Sequence, residues 1–437
     1  MLRWFLGGRE AQGAVEKNTV LFIGEEQPKN SYTELQVLKG HFDIVRFLVQ
    51  IDDFRFASAG DDGLVLVWNA QTGERLRELR GHAQQITAMT TYSRTTSDSA
   101  HTALITASSD RTLSLWDPET GNRVQTVSDL QSSVKCLLVL DRLDVWISGG
   151  NELCVWDRGF HLLCKTDHDS DAGITAMVEL PKNCIAAAVD KEIVIYRLRA
   201  SSSKSDTSVA EIRRLTDHQD SIRTLINVND QAFASGSHVG ELIVWDSLDW
   251  SIQSYERILW DEPLPEGPTQ IRLNLQKQSE MSVQHLASDG ERIVAAVGSG
   301  LYLYDVSTRT VAAYRKSAHD SNILHTMLLP DGQLISCSED GSPASAGFFG
   351  MWTFGRSNKQ ASQQVKKVPE LPGLRTLELT GDLIGHSGAV QMFVNFMDLG
   401  LVTCSTDQLI IVWKNGERES RFRSLSLFHK LEENQGL

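Results

Sequence analysis

Residues 40–68 read GHFDIVRFLVQIDDFRFASAGDDGLVLVW. The stretch opens on Gly40-His41, runs through an apolar segment, turns at Asp52-Asp53 and enters a second segment carrying Ser58. Asp61-Asp62-Gly63 then turns the chain into a third apolar segment that ends on Trp68. Short apolar runs bounded by Asp and Gly clusters predict strands joined by tight turns. The same order recurs from Gly81-His82 through LITASSDRTLSLW to Trp116, and from Gly385-His386 through LVTCSTDQLIIVW to Trp413. Weaker copies have third segments ending at Trp156, Tyr196, Trp245 and Tyr304. A further front half, HDSNILHTMLLPDGQLISCSEDG, occupies 319–341. The count is eight units. A fixed period of this size marks a repeat architecture in which neighbouring units bury one another's faces.

Several positions keep register together. Asp lies six residues before the aromatic at Asp62, Asp110, Asp190 and Asp407, and Ser or Thr lies ten before it at Ser58, Thr106, Ser235 and Thr403. In these features the chain resembles the WD-repeat family of β-propellers. The resemblance implies a hydrogen-bonded His, Ser/Thr, Asp and Trp set inside each complete unit. Three units carry all four: His41, Ser58, Asp62 and Trp68; His82, Thr106, Asp110 and Trp116; His386, Thr403, Asp407 and Trp413. Such a buried polar set stabilises only when every member is paired. It superficially resembles a hydrolase triad, but its recurrence with Trp completing it favours a structural role. The resemblance also implies closure by 33–40, TELQVLKG, as an outer strand of the last blade, which removes the open edge of a linear array.

The expected fold is therefore all-β: an eight-bladed propeller over 31–416, an N-terminal segment 1–30 and a tail 417–437. The fifth unit lacks an Asp in register, and the sixth lacks both His and Asp. In the seventh unit Ser336 and Asp340 keep register, yet no aromatic stands near 346. Pro343 is unfavourable in a central strand, so this third strand is expected to be lost or poor and the seventh blade incomplete or irregular. Long insertions are expected at 93–102, 200–210, 261–270 and 342–376; loops of such length are commonly functional or disordered.

Composition limits the function classes. Lys+Arg number 42 against Asp+Glu 56, a formal charge of −14, which repels phosphate backbones and argues against nucleic acid as a partner. The six cysteines form no C-x-x-C pair, so no zinc or redox motif is present, and they read as small buried hydrophobes of a reducing compartment. P-loop, H-E-x-x-H and G-x-S-x-G motifs are absent. No catalytic residue, cofactor or metal is expected. No stretch has the length of a membrane span, so a cytoplasmic protein is expected, peripheral to membranes through a protein partner.

Two regions are candidate partner sites. GFFGMWTFGR at 347–356 gathers Phe348, Phe349, Met351, Trp352, Phe354 and Arg356. On a loop these would mark a contact site, and alternatively they fold back to patch the seventh unit. At the termini, Val20, Leu21, Phe22 and Ile23 could add as a strand to a partner's sheet edge. Leu425, Leu427, Phe428 and Leu431 line one face of a short predicted C-terminal helix. It either packs on its own propeller or docks a partner.

A narrower resemblance within the WD-repeat family rests on YTELQVLKGHFDIVRFLVQIDDFRFASAGDDG, RLDVWISGGNELCVWDR, GSHVGELIVWDSLDW, LIIVWKNGERES and KQASQQVKK. It implies a non-catalytic scaffold in a complex with two longin/DENN-domain proteins. It further implies recruitment to the lysosomal surface through a cationic amino-acid transporter, in support of autophagy and small-GTPase regulation. The competing reading is a substrate receptor of a cullin-type ubiquitin ligase. No unit has Arg two residues after its Trp-Asp, which disfavours the common type.

Overall fold

Each unit folds as a meander of four strands. The structure, a computed structural model, describes residues 32–96, 99–128, 130–167, 172–199, 207–258, 281–330, 332–340, 347–354, 375–397, 399–421 and 424–425. The chain begins with β1 (Tyr32–Leu38). The first unit is β2 (Val45–Gln50), β3 (Arg55–Gly60), β4 (Val65–Asn69) and β5 (Arg75–Leu79). The second is β6 (Ile86–Thr96), β7 (Ser99–Ser108), β8 (Leu113–Trp116) and β9 (Arg123–Val127). The third is β10 (Cys136–Leu140), β11 (Val145–Gly149), β12 (Glu152–Asp157) and β13 (Leu162–Asp167). The fourth is β14 (Ile174–Leu180), β15 (Cys184–Val189), β16 (Glu192–Arg199) and β17 (Ser208–Leu215). The fifth is β18 (Ile222–Asn229), β19 (Ala232–Ser237), β20 (Glu241–Asp246) and β21 (Ile252–Arg257). The sixth is β22 (Val283–Ser288), β23 (Arg292–Val297), β24 (Gly300–Asp305) and β25 (Thr310–Arg315). The seventh is β26 (Ile323–Leu328), β27 (Leu334–Ser338), β28 (Gly347–Phe354) and β29 (Arg375–His386). The last is β30 (Val390–Asn395), β31 (Leu401–Ser405) and β32 (Ile410–Asn415), with β1 as its outer strand.

The middle strands carry the core. All six residues of β15, CIAAAV, are buried, as are all six of β19, AFASGS. Strands covered on both faces read as continuous runs rather than alternations. The outer strands alternate instead: in β5, RLREL, exposed and half-buried residues take turns and only Leu79 is fully buried. The apolar clusters lie between units: Leu48 and Phe56 of the first unit pack with Val402, Ile410 and Val412 of the last. The first strands touch their neighbours around a closed ring, including β2 against β30.

Closure follows the expected route. β1 pairs antiparallel with β32, from Tyr32↔Asn415 to Leu38↔Ile410. Two side chains tie this sheet to the turn after β4: Gln36 Nε2 donates to the Thr72 carbonyl and Lys414 Nζ to the Gln71 carbonyl, both at 2.6 Å.

Three expectations are corrected. The strands form seven sheets rather than eight separate blades, six of four strands and one of eight. The eight-stranded sheet arises because the start of β29 pairs parallel with β25, Ala313↔Arg375 and Tyr314↔Thr376, and Arg315 donates to the Leu377 carbonyl at 2.9 Å. The seventh unit has its third strand, since GFFGMWTF forms β28, paired to β27 on one side and β29 on the other. Pro343 and the rest of 341–346 lie outside the described residues. The insertion at 93–102 is no irregular loop either; β6 and β7 extend as a long hairpin from Ile86↔Ser108 to Thr96↔Ser99. The expected C-terminal helix is present where the chain is described, at 416–421 and 424–425. No helix among the described residues is long and apolar enough to cross a membrane.

Candidate functional site

The polar sets assemble as the spacing requires. In the first unit Trp68 Nε1 donates to Ser58 Oγ at 2.8 Å, Ser58 Oγ meets His41 Nε2 at 2.8 Å, and His41 Nδ1 meets Asp62 Oδ2 at 2.8 Å. A carboxylate only accepts, so Nδ1 carries the imidazole proton and Nε2 accepts from Ser58. The proton direction is thereby fixed along Trp68, Ser58, His41 and Asp62. Asp62 also accepts the Phe42 and Leu64 backbone N–H groups, which locks the turn after β3. The last unit repeats the chain through Trp413, Thr403, His386 and Asp407, at 2.9, 2.7 and 3.0 Å. His41, Ser58, Thr403 and His386 are all buried. No nucleophile is open to a substrate here, because each hydroxyl is held between an indole and an imidazole.

The second unit departs in one link. Trp116 and His82 both bond Thr106 Oγ1, at 2.8 and 2.7 Å, but His82 Nδ1 meets Thr112 Oγ1 at 2.9 Å. Thr112 passes the bond to Asp110 at 2.6 Å, leaving His82 and Asp110 at 3.4 Å.

Two further sets form in units that the register count left incomplete. In the fifth unit Trp245 and His218 share Ser235, at 2.8 and 2.6 Å, and Glu241 takes the place of Asp at 3.0 Å from His218 Nδ1. Glu241 stands four residues before the Trp rather than six, and its extra methylene spans the difference. It is fully buried and also accepts from Ser237 at 2.8 Å and Tyr255 at 2.6 Å. Burial pushes its carboxyl up, yet the bonds from Tyr255, His218 and Ser237 together hold it below its ordinary value. The readable signal was the interval of 17 residues from His218 to Ser235, the same as from His41 to Ser58 and from His386 to Thr403. In the seventh unit His319 meets Ser336 at 2.7 Å and Asp340 at 3.3 Å. Its aromatic is Trp352, which opposes Leu334 as Trp68 opposes Phe56, so the register position is filled six residues later than expected.

The third unit substitutes aromatic packing for the His-centred set. Trp146 and Trp156 stack at 5.2 Å, with Phe160 at 4.6 Å from Trp146, and Trp156 donates to Ser148 at 2.9 Å. Asp190 keeps its register but sits in a tight turn with φ of 52°.

A Glu241→Ala chain is expected to lose about 3–5 kcal/mol, because His218, Ser237 and Tyr255 all lose a buried partner. Urea unfolding reads this as a lowered midpoint with an unchanged slope. An unchanged midpoint would show that the fifth unit does not depend on the network.

All six cysteines are free, and four of them are buried. Burial pushes the Cys136 thiol up to about 12, far from a reactive thiolate. Among the described residues no cluster of three or more His, Cys, Asp or Glu could hold a metal ion.

The partner-site residues divide. Phe348, Phe349, Met351, Trp352 and Phe354 lie in a central strand, which corrects their placement on a loop, because both edges of that strand are paired. Arg356 lies outside the described residues, as do Val20, Leu21, Phe22, Ile23, Leu427, Phe428 and Leu431. Leu425 is described and half exposed. Tyr32 pairs Asn415 and helical residues begin at 416, so β1 starts and the last strand ends at one corner of the closing sheet. β1 is the outer strand there and exposes Leu35 and Val37 by 49% and 41%.

The comparisons with known proteins agree with this architecture. Among solved structures, the computationally designed Ika8 protein matches with a TM-score of 0.62 at 20% identity, over 86% of this chain and 98% of the other. The WD40 β-propeller domain of Doa1 matches with a TM-score of 0.50 at 16% identity, over 88% and 96%. At these identities the likeness shows the fold alone. The WD repeat-containing protein 41 of Homo sapiens is 58% identical, and that of Mus musculus 55%, each over all of this chain and 99% of the relative. The family model for the WDR41 β-propeller matches residues 1–423. The chain therefore belongs to the WDR41 β-propeller family.

Proposed function

We propose that the chain is a non-catalytic scaffold subunit of a complex with two longin/DENN-domain proteins. In this reading it brings the complex from the cytoplasm to the lysosomal surface through a cationic amino-acid transporter, supporting autophagy and small-GTPase regulation. The observation that carries the reading is the likeness to WD repeat-containing protein 41 across the full length of both chains. Two features support a scaffold in particular. The recurring His, Ser/Thr and acid groups are consumed by packing inside the units. The closing sheet offers an apolar outer strand beside the exit points of both terminal segments, a sheet edge of the kind that accepts partner segments. GTPase-regulating chemistry then resides in the DENN partners.

Affinity purification of the tagged full-length chain from nutrient-starved cells tests this. Two DENN-domain proteins are expected among the recovered partners. Recovery of a cullin adaptor in their place would overturn the scaffold reading in favour of a ligase receptor.

A further inference from the structure

The turns that join first to second strands lie at the end of each unit opposite the buried histidines of the polar sets. Three consecutive ones differ in build. In the third unit Asp141–Leu143 form a single 3-10 turn, closed by Asp144 at φ of 61°. In the fourth the Cys184 N–H reaches the Pro181 carbonyl at 3.3 Å, and Lys182 and Asn183 between them are both left-handed, at φ of 60° and 58°. This is the hairpin turn that favours Asn and Gly, so a lysine in its first central place sits in a costly conformation. In the fifth unit Asn229 Oδ1 accepts from the Gln231 and Ala232 N–H groups, at 2.9 and 3.0 Å. The three turns border one cavity of about 740 Å³, and Leu248, on the turn after β20, adds to its lining. That volume lies in the range of sites that take small ligands and inserted side chains.

The charges of the cavity are unequally matched. Asp141, Glu179 and Asp230 line it against Arg142 and Lys182, three carboxylates to two cations. Arg142 Nη2 donates to Asn183 Oδ1 at 2.8 Å, and the same nitrogen stands 3.7 Å from Glu179, a loose and largely exposed pair that neutralises little. Burial raises the Glu179 carboxyl above its ordinary value; Arg142 opposes the rise and Asp141 adds to it. Asp141, Asp230 and Lys182 make no ion pair among the described residues. The other charges nearby are committed elsewhere: Asp144 pairs with Arg158, and Arg213 donates to the Asp249 carbonyl at 3.1 Å, next to Leu248. Glu179 is thus a half-buried carboxylate that lines a cavity without a full counter-charge. Pro181 and Leu248, the latter 47% exposed, supply apolar surface in the same cavity.

We propose that this cavity binds an arginine on an extended segment of a partner protein, with Glu179 and Asp230 as acceptors and Pro181 and Leu248 against the stem and an adjoining apolar residue. Arginine suits the site because its planar fork matches carboxylate oxygens, its guanidinium is weakly hydrated and its methylenes pack on apolar surface. An acidic segment does not suit it, since the one uncommitted cation, Lys182, stands among three carboxylates. Lys182 instead weakens the pull on a cationic guest. Such a charge match sets encounter and partner choice, and its strength falls with salt. The cavity belongs to the third to fifth units and the closing sheet to the last, so the inference does not rest on the scaffold reading.

The test uses the full-length chain and a fluorescent twelve-residue Gly/Ser peptide with Leu-Arg-Leu at its centre, followed by anisotropy at low and physiological salt. The same peptide with citrulline for arginine is the neutral control of equal shape. The arginine peptide is expected to bind about tenfold more tightly than the control at low salt, and the E179Q/D230N double variant to lose that advantage. A K182E variant is expected to bind the arginine peptide several-fold more tightly than the unaltered chain, because the opposing cation is gone. An E74Q variant, whose exposed carboxylate lies in the first unit, is expected to bind as the unaltered chain does. Thermal melts check folding; should the double variant not fold, D230N and K182E singly carry the test. Equal binding of the two peptides, or full affinity in folded E179Q/D230N or D230N chains, overturns the proposal. So does tighter binding of a peptide with Glu at the central place. Free L-arginine that binds as tightly as the peptide overturns the assignment to a partner segment.

Discussion

A chain lacking residues 347–354 is expected to lose the folded ring rather than a single partner. The deleted stretch is β28, which pairs with β27 from Leu334↔Trp352 to Cys337↔Phe349 and with β29 from Gly347↔His386 to Phe354↔Leu377. Removing it orphans the facing backbone groups of two strands at once. β27 is buried at all five residues, so either its core side chains meet water or the ring closes over the orphaned groups. Each unsatisfied buried group costs on the order of 1–3 kcal/mol. A handful of them exceeds the roughly 5–15 kcal/mol by which a folded domain is stable. β29 would also lose its place, and it supplies His386 at its end to the set that bonds Thr403 and Asp407. Circular dichroism and size-exclusion chromatography should show a chain without a cooperative melt. A soluble, cooperatively melting chain that fails to recover one partner would instead make this stretch a contact loop and overturn its place in the sheet.

That outcome bears on how much of the molecule could be read from its residues. Units with His, Ser/Thr, Asp and Trp in register were legible because each member is buried or half-buried and bonded, so no position is free to drift. The pairing of TELQVLKG with the last strand was legible for a related reason, since the closing unit otherwise lacks a fourth strand. Three features were hidden by length rather than by chemistry. The stretch of sequence between β27 and β28 is longer than in other units, which moved Trp352 six residues away from its expected place while leaving it opposite Leu334. Glu241 exchanged two residues of spacing for one methylene of reach. The merging of the sixth and seventh units depends on a two-residue parallel contact that no periodicity encodes.

Acidification from neutral pH is expected to unfold the chain in two overlapping stages, and the buried groups fix the sign. Burial lowers His82 and His218 below the usual imidazole value, and it lowers His285 to about 4 and His325 well below its ordinary range. His285 and His325 are in ring contact at 4.2 Å between the sixth and seventh units, and Phe393 of the last unit closes over His325 at 4.6 Å. The Thr326 N–H points at His285 Nδ1 at 3.3 Å, which suits a neutral ring accepting there. These imidazoles stay neutral when folded and take up protons when unfolded. Their contribution is complete above the unfolded value near 6.5 and is lost as pH falls below it. For His285 alone the loss between pH 6.5 and 5 is about 2 kcal/mol. The second stage belongs to the acids. Burial raises Asp62, Asp110, Asp340, Asp407 and Glu241, but hydrogen bonds from histidines, hydroxyls and backbone N–H groups hold all five below their ordinary values. Their contribution is present above about pH 4 and is lost as pH falls through the lowered folded values. Both stages have the same sign, so the urea midpoint should fall from pH 7 to pH 5 and collapse near pH 4. An H285F/H325F chain keeps rings in this contact but removes two of the titrating groups, and its midpoint should fall less over the first interval. An equal fall in both chains would show that the His285–His325 pair is not the acid-sensitive joint between the sixth and seventh units.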